Sequence, residues 1–233
     1  MKIHLLICDQ FPGILVPGIP SYEWMFEQVF SEAAPALSFA VWQVWRGQFP
    51  AEIQPDDVYL ISGSNADSYG DTPWVVRLRP WITWAFAAGA HMAGICFGHQ
   101  ILAQALGGQT VRSEQGWDIG IRSSTVYDSD SAQLLGADHY QLIYDHHDQV
   151  IQLPQEAIRV SGSNFCPIES FRIGHRVVTL QGHPEFTVAF ISHWIQDCAP
   201  QESAQVKCRA MKSLSGYEPQ GVKMARWLLA MQS

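Results

Sequence analysis

Charge is what this sequence has little of. Only 15% of its residues are Asp, Glu, Lys or Arg, and acids outnumber bases to give a formal net charge of −8. With no lysine or arginine cluster to offset that balance, a nucleic-acid footprint is excluded. No apolar run approaches the roughly 20 residues that span a bilayer, which excludes a membrane helix. The phosphate-cradling pattern G-x-x-x-x-G-K-[ST] is missing, so the chain has no ATP loop of that type. Cysteine is scarce, odd in number at five, and scattered. That distribution points to reduced thiols and a cytoplasmic location rather than a disulfide framework. The opening run Met1–Cys8 meets Asp9 and Pro12 too early for a secretory signal and reads as a first strand. Repeats, low-complexity stretches and linkers are also missing, which leaves no boundary for a second domain. What is present, 47% hydrophobic residues over 233 positions, suffices for one sizeable core. The nine tryptophans fall mostly in amphipathic runs and read as core.

Residues 2–8 have the near-continuous apolar character of a strand covered on both faces. After a proline- and glycine-rich stretch from Asp9 to Pro20, helical spacing runs from Tyr22 to Ala33, with Ser21 as candidate cap. Leu37–Trp45 and Val58–Ile61 read as strands two and three. Trp74–Ala88 reads as a helix opened by Asp71-Thr72-Pro73, and strand four ends at Cys96. This β-α-β-α-β order predicts an α/β protein with a doubly wound, mostly parallel sheet and helices on both faces. Active sites in such sheets gather at the carboxyl ends of the strands, where Ser62-Gly63 and Cys96 both fall. Beyond Gly107-Gly108 come shorter strands at 120–126, 140–144, 158–161 and 168–173, expected as a mixed or antiparallel extension, then a short strand at 177–180. Phe186–Gln196 reads as a helix. Residues 200–233 read as two more helices split near Ser215-Gly216, an extension packed on the domain formed by residues 1–199.

Two stretches carry the chemistry. In Ala93-Gly94-Ile95-Cys96-Phe97-Gly98-His99-Gln100, small residues surround a cysteine at a strand-to-helix junction, and Ile101, Leu102, Ala105 and Leu106 follow at helical spacing. That is the form of a nucleophile elbow, where a Cβ at Gly94 or Gly98 would crowd the turn and the helix N-terminus favours a thiolate. A glycine-flanked cysteine buried in a core gives the same pattern. Far downstream, Gln181-Gly182-His183-Pro184-Glu185-Phe186 follows the strand 177–180. His183 and Glu185, two positions apart in an extended segment, lie on one side, as a base and the carboxylate that orients it. Alone this would be an ordinary turn; together with Cys96 it makes a triad.

At these stretches the sequence resembles the class I glutamine amidotransferases. The family pattern G-x-C-x-G-x-Q is matched at Gly94, Cys96, Gly98 and Gln100, and H-P-E at His183–Glu185. The wording is most similar to stand-alone members related to the amidotransferase domain of GMP synthetase, a group that includes plant γ-glutamyl peptidases. The resemblance implies a flavodoxin-like fold and a Cys96–His183–Glu185 triad. It also implies an oxyanion hole from the amides of Gly63 and Phe97, with Ser62-Gly63 standing where many relatives carry two glycines. Gln100 takes the position that holds the substrate's amino-acid end. Tyr144-Asp145-His146-His147-Asp148 corresponds to a pocket-lining S-H-G-D segment, with Asp145 for serine and His147 for glycine, which makes His146 and His147 candidate substrate contacts. The histidine pair lacks a compatible third ligand nearby, so no metal is expected, and no cofactor. Trp117-Asp118-Ile119-Gly120 is similar to a family W-E-I-G element. The other four cysteines lack such surroundings and read as structural.

The implied reaction is hydrolysis of a γ-glutamyl amide through a Cys96 thioester, releasing ammonia and glutamate. Two alternatives stand beside it: a stand-alone γ-glutamyl peptide hydrolase, and a non-catalytic binding module of the same fold. Any synthase that uses the ammonia would be a separate chain. The expected partner is otherwise a small-molecule substrate, with no nucleic acid or membrane.

Overall fold

A computed structural model describes residues 1–9, 16, 18–198, 203–216 and 218–232. Strand β1 (Lys2–Ile7) sorts its side chains by alternation: Ile3, Leu5 and Ile7 enter one core layer and Leu6 the other. A strand buried on both faces needs helices on both sides. The first, α1 (Tyr22–Ala33), begins where Ser21 Oγ accepts from the Trp24 amide at 3.2 Å. Its buried residues Tyr22, Met25, Phe26, Val29 and Phe30 recur at helical spacing. Strand β2 (Ser38–Gln43) pairs parallel with β1 and then tightens into a 3-10 turn at Val44–Arg46, so the expected strand stops short of Trp45. Next come β3 (Val58–Ile61), α2 (Pro73–Ala87), β4 (His91–Ile95) and α3 (Phe97–Ala105). Helices α2 and α3 build the second core layer, with Leu78, Ile82, Ile101 and Leu102 packed on Tyr59, Ile61 and Met92.

The second half contributes β5 (Gln109–Arg112), β6 (Asp118–Val126), α4 (Ser129–Leu135), β7 (His139–His146), β8 (Asp148–Gln152), β9 (Ile158–Gly162), β10 (Ser170–Ile173) and β11 (Val177–Leu180). Nine strands form one sheet in the order β2-β1-β3-β4-β11-β10-β9-β6-β7. The first five run parallel, and from β11 onward each neighbour is antiparallel, which is the expected extension. Strands β5 and β8 pair in a separate two-stranded sheet, and neither they nor α4 follow from the sequence pattern.

The helix expected from Phe186 starts instead at Val188, as α5 (Val188–His193), and passes into a π turn at Trp194–Cys198. Thr187 is its true cap, accepting from the Phe190 amide at 3.1 Å, because Phe186 is held elsewhere. The tail forms α6 (Ala204–Leu214) and α7 (Gly221–Ala230). Helix α6 lies on β6, where Ser213 Oγ accepts from the Ile121 amide at 2.9 Å. Helix α7 buries Met224, Ala225, Trp227 and Leu228 and packs on α1 and α4. Among the described residues no helix is long and apolar enough to cross a membrane.

Candidate active site

Strands β4 and β11 are parallel neighbours with Ile95 opposite Leu180, so the residues that follow them leave the sheet at the same edge. Cys96 is the next residue after β4. Its amide donates to the Leu180 carbonyl at 2.8 Å and its carbonyl accepts from the Gln100 amide at 3.1 Å, tying it to both strand and helix. With φ 52° and ψ −106°, it is the only non-glycine with positive φ among the described residues. Such strain persists only where the surroundings over-determine it, and it clusters at functional sites. The surroundings here are backbone. A Cβ on Gly94 would lie 2.5 Å from the Gly98 carbonyl, and one on Gly98 would lie 2.1 Å from the Ile61 carbonyl oxygen. Because that obstacle is main chain of a central strand, Gly98→Ala is expected to destabilise the fold by about 3 kcal/mol or more, read as a lowered urea midpoint. An unchanged midpoint would mean the turn is slack.

His183 emerges shortly after β11, its amide donating to the Ile143 carbonyl at 2.7 Å. Its Nδ1 meets Glu185 Oε1 at 2.8 Å, and Tyr22 at the start of α1 donates its hydroxyl to the same oxygen at 3.2 Å. The Phe186 ring lies flat on the imidazole, with centroids 3.9 Å apart and planes 3° apart. All three groups fix the ring's orientation. Burial opposes the imidazolium, yet the Glu185 carboxylate and then the Cys96 sulfur outweigh it and hold His183 well above the usual histidine range. In contrast, burial pushes the Cys8 and Cys166 thiols up, which keeps them protonated and inert. Cys208 is exposed, and the side chain of Cys198 lies outside the described residues.

Gly63 closes the triangle. A Cβ there would lie 2.7 Å from the Tyr22 hydroxyl, 3.1 Å from His183 Cε1 and 3.6 Å from Cys96 Cβ. Ser62, the residue that departs from a double glycine, is fully buried. Its Oγ accepts from the Cys8 amide and donates to the Gly63 carbonyl, both at 2.9 Å, so it braces the loop. Phe97 begins α3 with its ring buried against Trp74. A small pocket of about 40 Å³ lies among Tyr22, Gly63, Cys96, Asp145, His183 and Trp194. A larger cavity of about 620 Å³, between α1 and the start of α7, reaches Glu185 and Phe186 from behind and does not touch Cys96.

The expected substrate contacts are placed differently from the triad. Gln100 Nε2 donates to the Asp148 carbonyl at 2.9 Å and to Gln181 Oε1 at 3.2 Å, which joins α3 to β8 and to the residue after β11. His146 is buried with Nδ1 3.0 Å from the Asp148 carbonyl, and burial lowers its pKa to about 3. His147 stacks on Trp117 at 4.8 Å. None of these three side chains lines the Cys96 pocket; Asp145, just before the histidine pair, does. Tyr22 and Phe186 also belong to the site. No local pattern marks Tyr22, which lies 163 residues from Glu185.

Comparison with known proteins gives the family and the fold. The model of the family described as Glutamine amidotransferase class-I matches residues 36–197. The chain is 36% identical over 157 residues to Gamma-glutamyl peptidase 3 of Arabidopsis thaliana, a match covering 62% of this chain and 63% of that protein. It thus spans somewhat less than two thirds of that relative's length. It is 29% identical over 133 residues to a glutamine-hydrolyzing GMP synthase subunit of Methanococcoides burtonii, covering 57% of this chain and 65% of that one. A crystal structure of a glutamine amidotransferase from Thermotoga maritima superposes with a TM-score of 0.76 at 21% identity, covering 100% of this chain and 98% of the other.

Proposed function

We propose, since this chain belongs to the class I glutamine amidotransferase family, that Cys96, His183 and Glu185 hydrolyse a γ-glutamyl C–N bond. The observation that carries this is a cysteine on a strained strand-to-helix turn beside an imidazole whose far nitrogen is held by a buried carboxylate. His183 takes the Cys96 thiol proton while the sulfur attacks the γ-carbonyl carbon. The amides of Gly63 and Phe97 receive the oxyanion, an interaction worth several kcal/mol in rate when two donors are pre-aimed. Collapse breaks the C–N bond, and His183 passes its proton to the leaving nitrogen. Water, deprotonated by the same imidazole, then adds to the thioester, the C–S bond breaks, and glutamate leaves with the thiol restored. Ammonia departs from glutamine; an amino acid or other amine departs from a larger γ-glutamyl compound.

The likeness to a γ-glutamyl peptidase supports a chain that works unaided, and the likeness to a GMP synthase component supports one that passes ammonia to a separate synthase. No cofactor enters either reading. The self-contained reading is favoured by α7, since Gly221 packs against the Pro184 carbonyl closely enough that a Cβ would lie 2.2 Å from it. The chain's own tail thus braces the catalytic loop. Purified protein with glutamine and, separately, a γ-glutamyl dipeptide is expected to release glutamate from the dipeptide without any partner. Negligible turnover of both, restored by an added synthase chain, would reverse that preference. No turnover and no reaction of Cys96 with a glutamine-like diazo-ketone would leave the binding-module alternative.

A further inference from the structure

Asp145 sits in β7 opposite Ile119, just ahead of two histidines that point elsewhere, and it lines the pocket that holds Cys96 and His183, with its carboxylate within the influence of His183 and the Trp194 indole. Its own carbonyl is 3.7 Å from the Cys96 sulfur. Trp117 Nε1 donates to Oδ1 at 2.7 Å and fixes the carboxylate plane, and the Trp194 indole bears on the same group. Solvent touches the residue, yet burial pushes its pKa up to about 6, even against the lowering pull of His183 and the two indoles. Among the described residues the pocket wall has no lysine or arginine. Its other aspartate, Asp9, is committed to a turn, accepting from the Asn65 amide at 2.8 Å and Ser64 Oγ at 3.3 Å. A carboxylate held by an indole N–H, on a wall with no lysine or arginine and with His183 as its one cationic neighbour there among the described residues, fits a further cation that carries hydrogen-bond donors.

We propose that Asp145 is a specificity-determining residue that receives a primary ammonium group of the substrate beside Cys96. The proposal rests on the hydrolase reading above. The ammonium has two chemical sources, the α-amino group of the γ-glutamyl head or a second amine carried by the leaving group. Either way, a substrate that places a carboxylate in this pocket is rejected by like charge.

The test uses Asp145→Asn, which keeps the acceptor for Trp117 and removes the charge. Three substrates are compared: a γ-glutamyl methylamide, its Nα-acetyl derivative, and the γ-glutamyl monoamide of a diamine. The wild-type protein is expected to lose roughly 10–100-fold in kcat/KM, mostly through KM, when the responsible ammonium is removed. In Asp145→Asn that ratio collapses towards one. If acetylation of the α-amino group carries the loss, the head is the source; if only the diamine substrate is favoured, the leaving group is. An equal ratio in both proteins overturns the proposal.

A second measurement does not depend on turnover. Alkylation of Cys96 by 2-bromoethylamine, iodoacetamide and iodoacetate, followed by peptide mapping, is expected to favour the cationic reagent over the anionic one. That preference should shrink by about tenfold or more in Asp145→Asn. If wild-type protein hydrolyses none of the amides yet shows this charge preference, the hydrolase reading fails and Asp145 stands. Hydrolysis without any charge preference in either assay overturns Asp145 alone.

Discussion

Cys96→Ala is expected to leave no measurable release of glutamate from any γ-glutamyl compound, with the fold intact. Among the described residues the thiol is the only side chain in the pocket suited to form the thioester. A second substitution makes the result sharper. The φ of 52° and ψ of −106° at this residue cost a side-chain-bearing residue about 1–3 kcal/mol. Glycine relieves that strain and gives back roughly 0.5–1 kcal/mol through the greater freedom of the unfolded chain. Cys96→Gly should therefore be more stable than Cys96→Ala by about 1 kcal/mol in urea unfolding, and equally inactive. A glycine variant no more stable than the alanine variant would show that the elbow stores no strain. Residual hydrolysis in either protein would remove Cys96 from the mechanism. Labelling by a glutamine-like diazo-ketone should in turn select Cys96, since burial holds Cys8 and Cys166 as thiols.

The nucleophile was legible because its constraint is local. Gly94, Cys96 and Gly98 lie within five residues, and the backbone that excludes a Cβ from each glycine belongs to the same turn or to the adjoining strand β3. The parallel strands were legible for a similar reason: β3 and β11 are buried at every position, so burial appears in the sequence as a short run that is apolar throughout in β3 and interrupted only by Thr179 in β11. Strands β5 and β8 are half polar, and only their pairing across a long stretch of intervening chain, Arg112 opposite Asp148, makes them strands. Helix α4 spans seven residues and buries only Ser131 and Leu135, too little for a helical apolar period to show. Asp128 accepts from the Ser131 amide, yet it also takes two hydrogen bonds from Arg172 of β10, a partner that no local pattern identifies. Phe186 shows the reverse error. It continues a helical apolar pattern, but its ring is used to flank His183 and the helix begins later. Gln100 sits at the motif position expected to meet substrate, and its amide is instead committed to the Asp148 carbonyl and Gln181. Motif positions fix which residues lie near the site; hydrogen-bond partners from distant strands decide which side chains face it.

His183→Asn is expected to lower kcat roughly 10³–10⁴-fold, because one imidazole serves as base in acylation and as acid for the leaving amine. Neighbouring histidines cannot take over. His146 is buried, turned towards the Asp148 carbonyl, and gives up its proton already at about pH 3. His147 is stacked on Trp117 outside the pocket wall. The supporting groups should show a graded series. Glu185→Gln leaves an amide oxygen that can still accept from His183 Nδ1 and from Tyr22, but it removes the negative charge that raises the proton affinity of His183 against burial. Its loss should be clearly smaller than that of His183→Asn. Tyr22→Phe keeps the charge and removes one of the two donors to Oε1, so its loss should be smaller again. The sign of the pH effect follows from the same interactions. His183 is raised in the folded protein, so its stabilising contribution is complete below the unfolded histidine pKa, near ~6.5, and is lost as pH rises through the higher folded value. Glu185→Gln should therefore flatten the fall in stability on the alkaline side, measured as thermal midpoint against pH. Near-normal turnover in His183→Asn would mean that this histidine and carboxylate are a structural pair and not the engine of the site; an alkaline limb unchanged in Glu185→Gln would mean that the carboxylate does not hold His183 up.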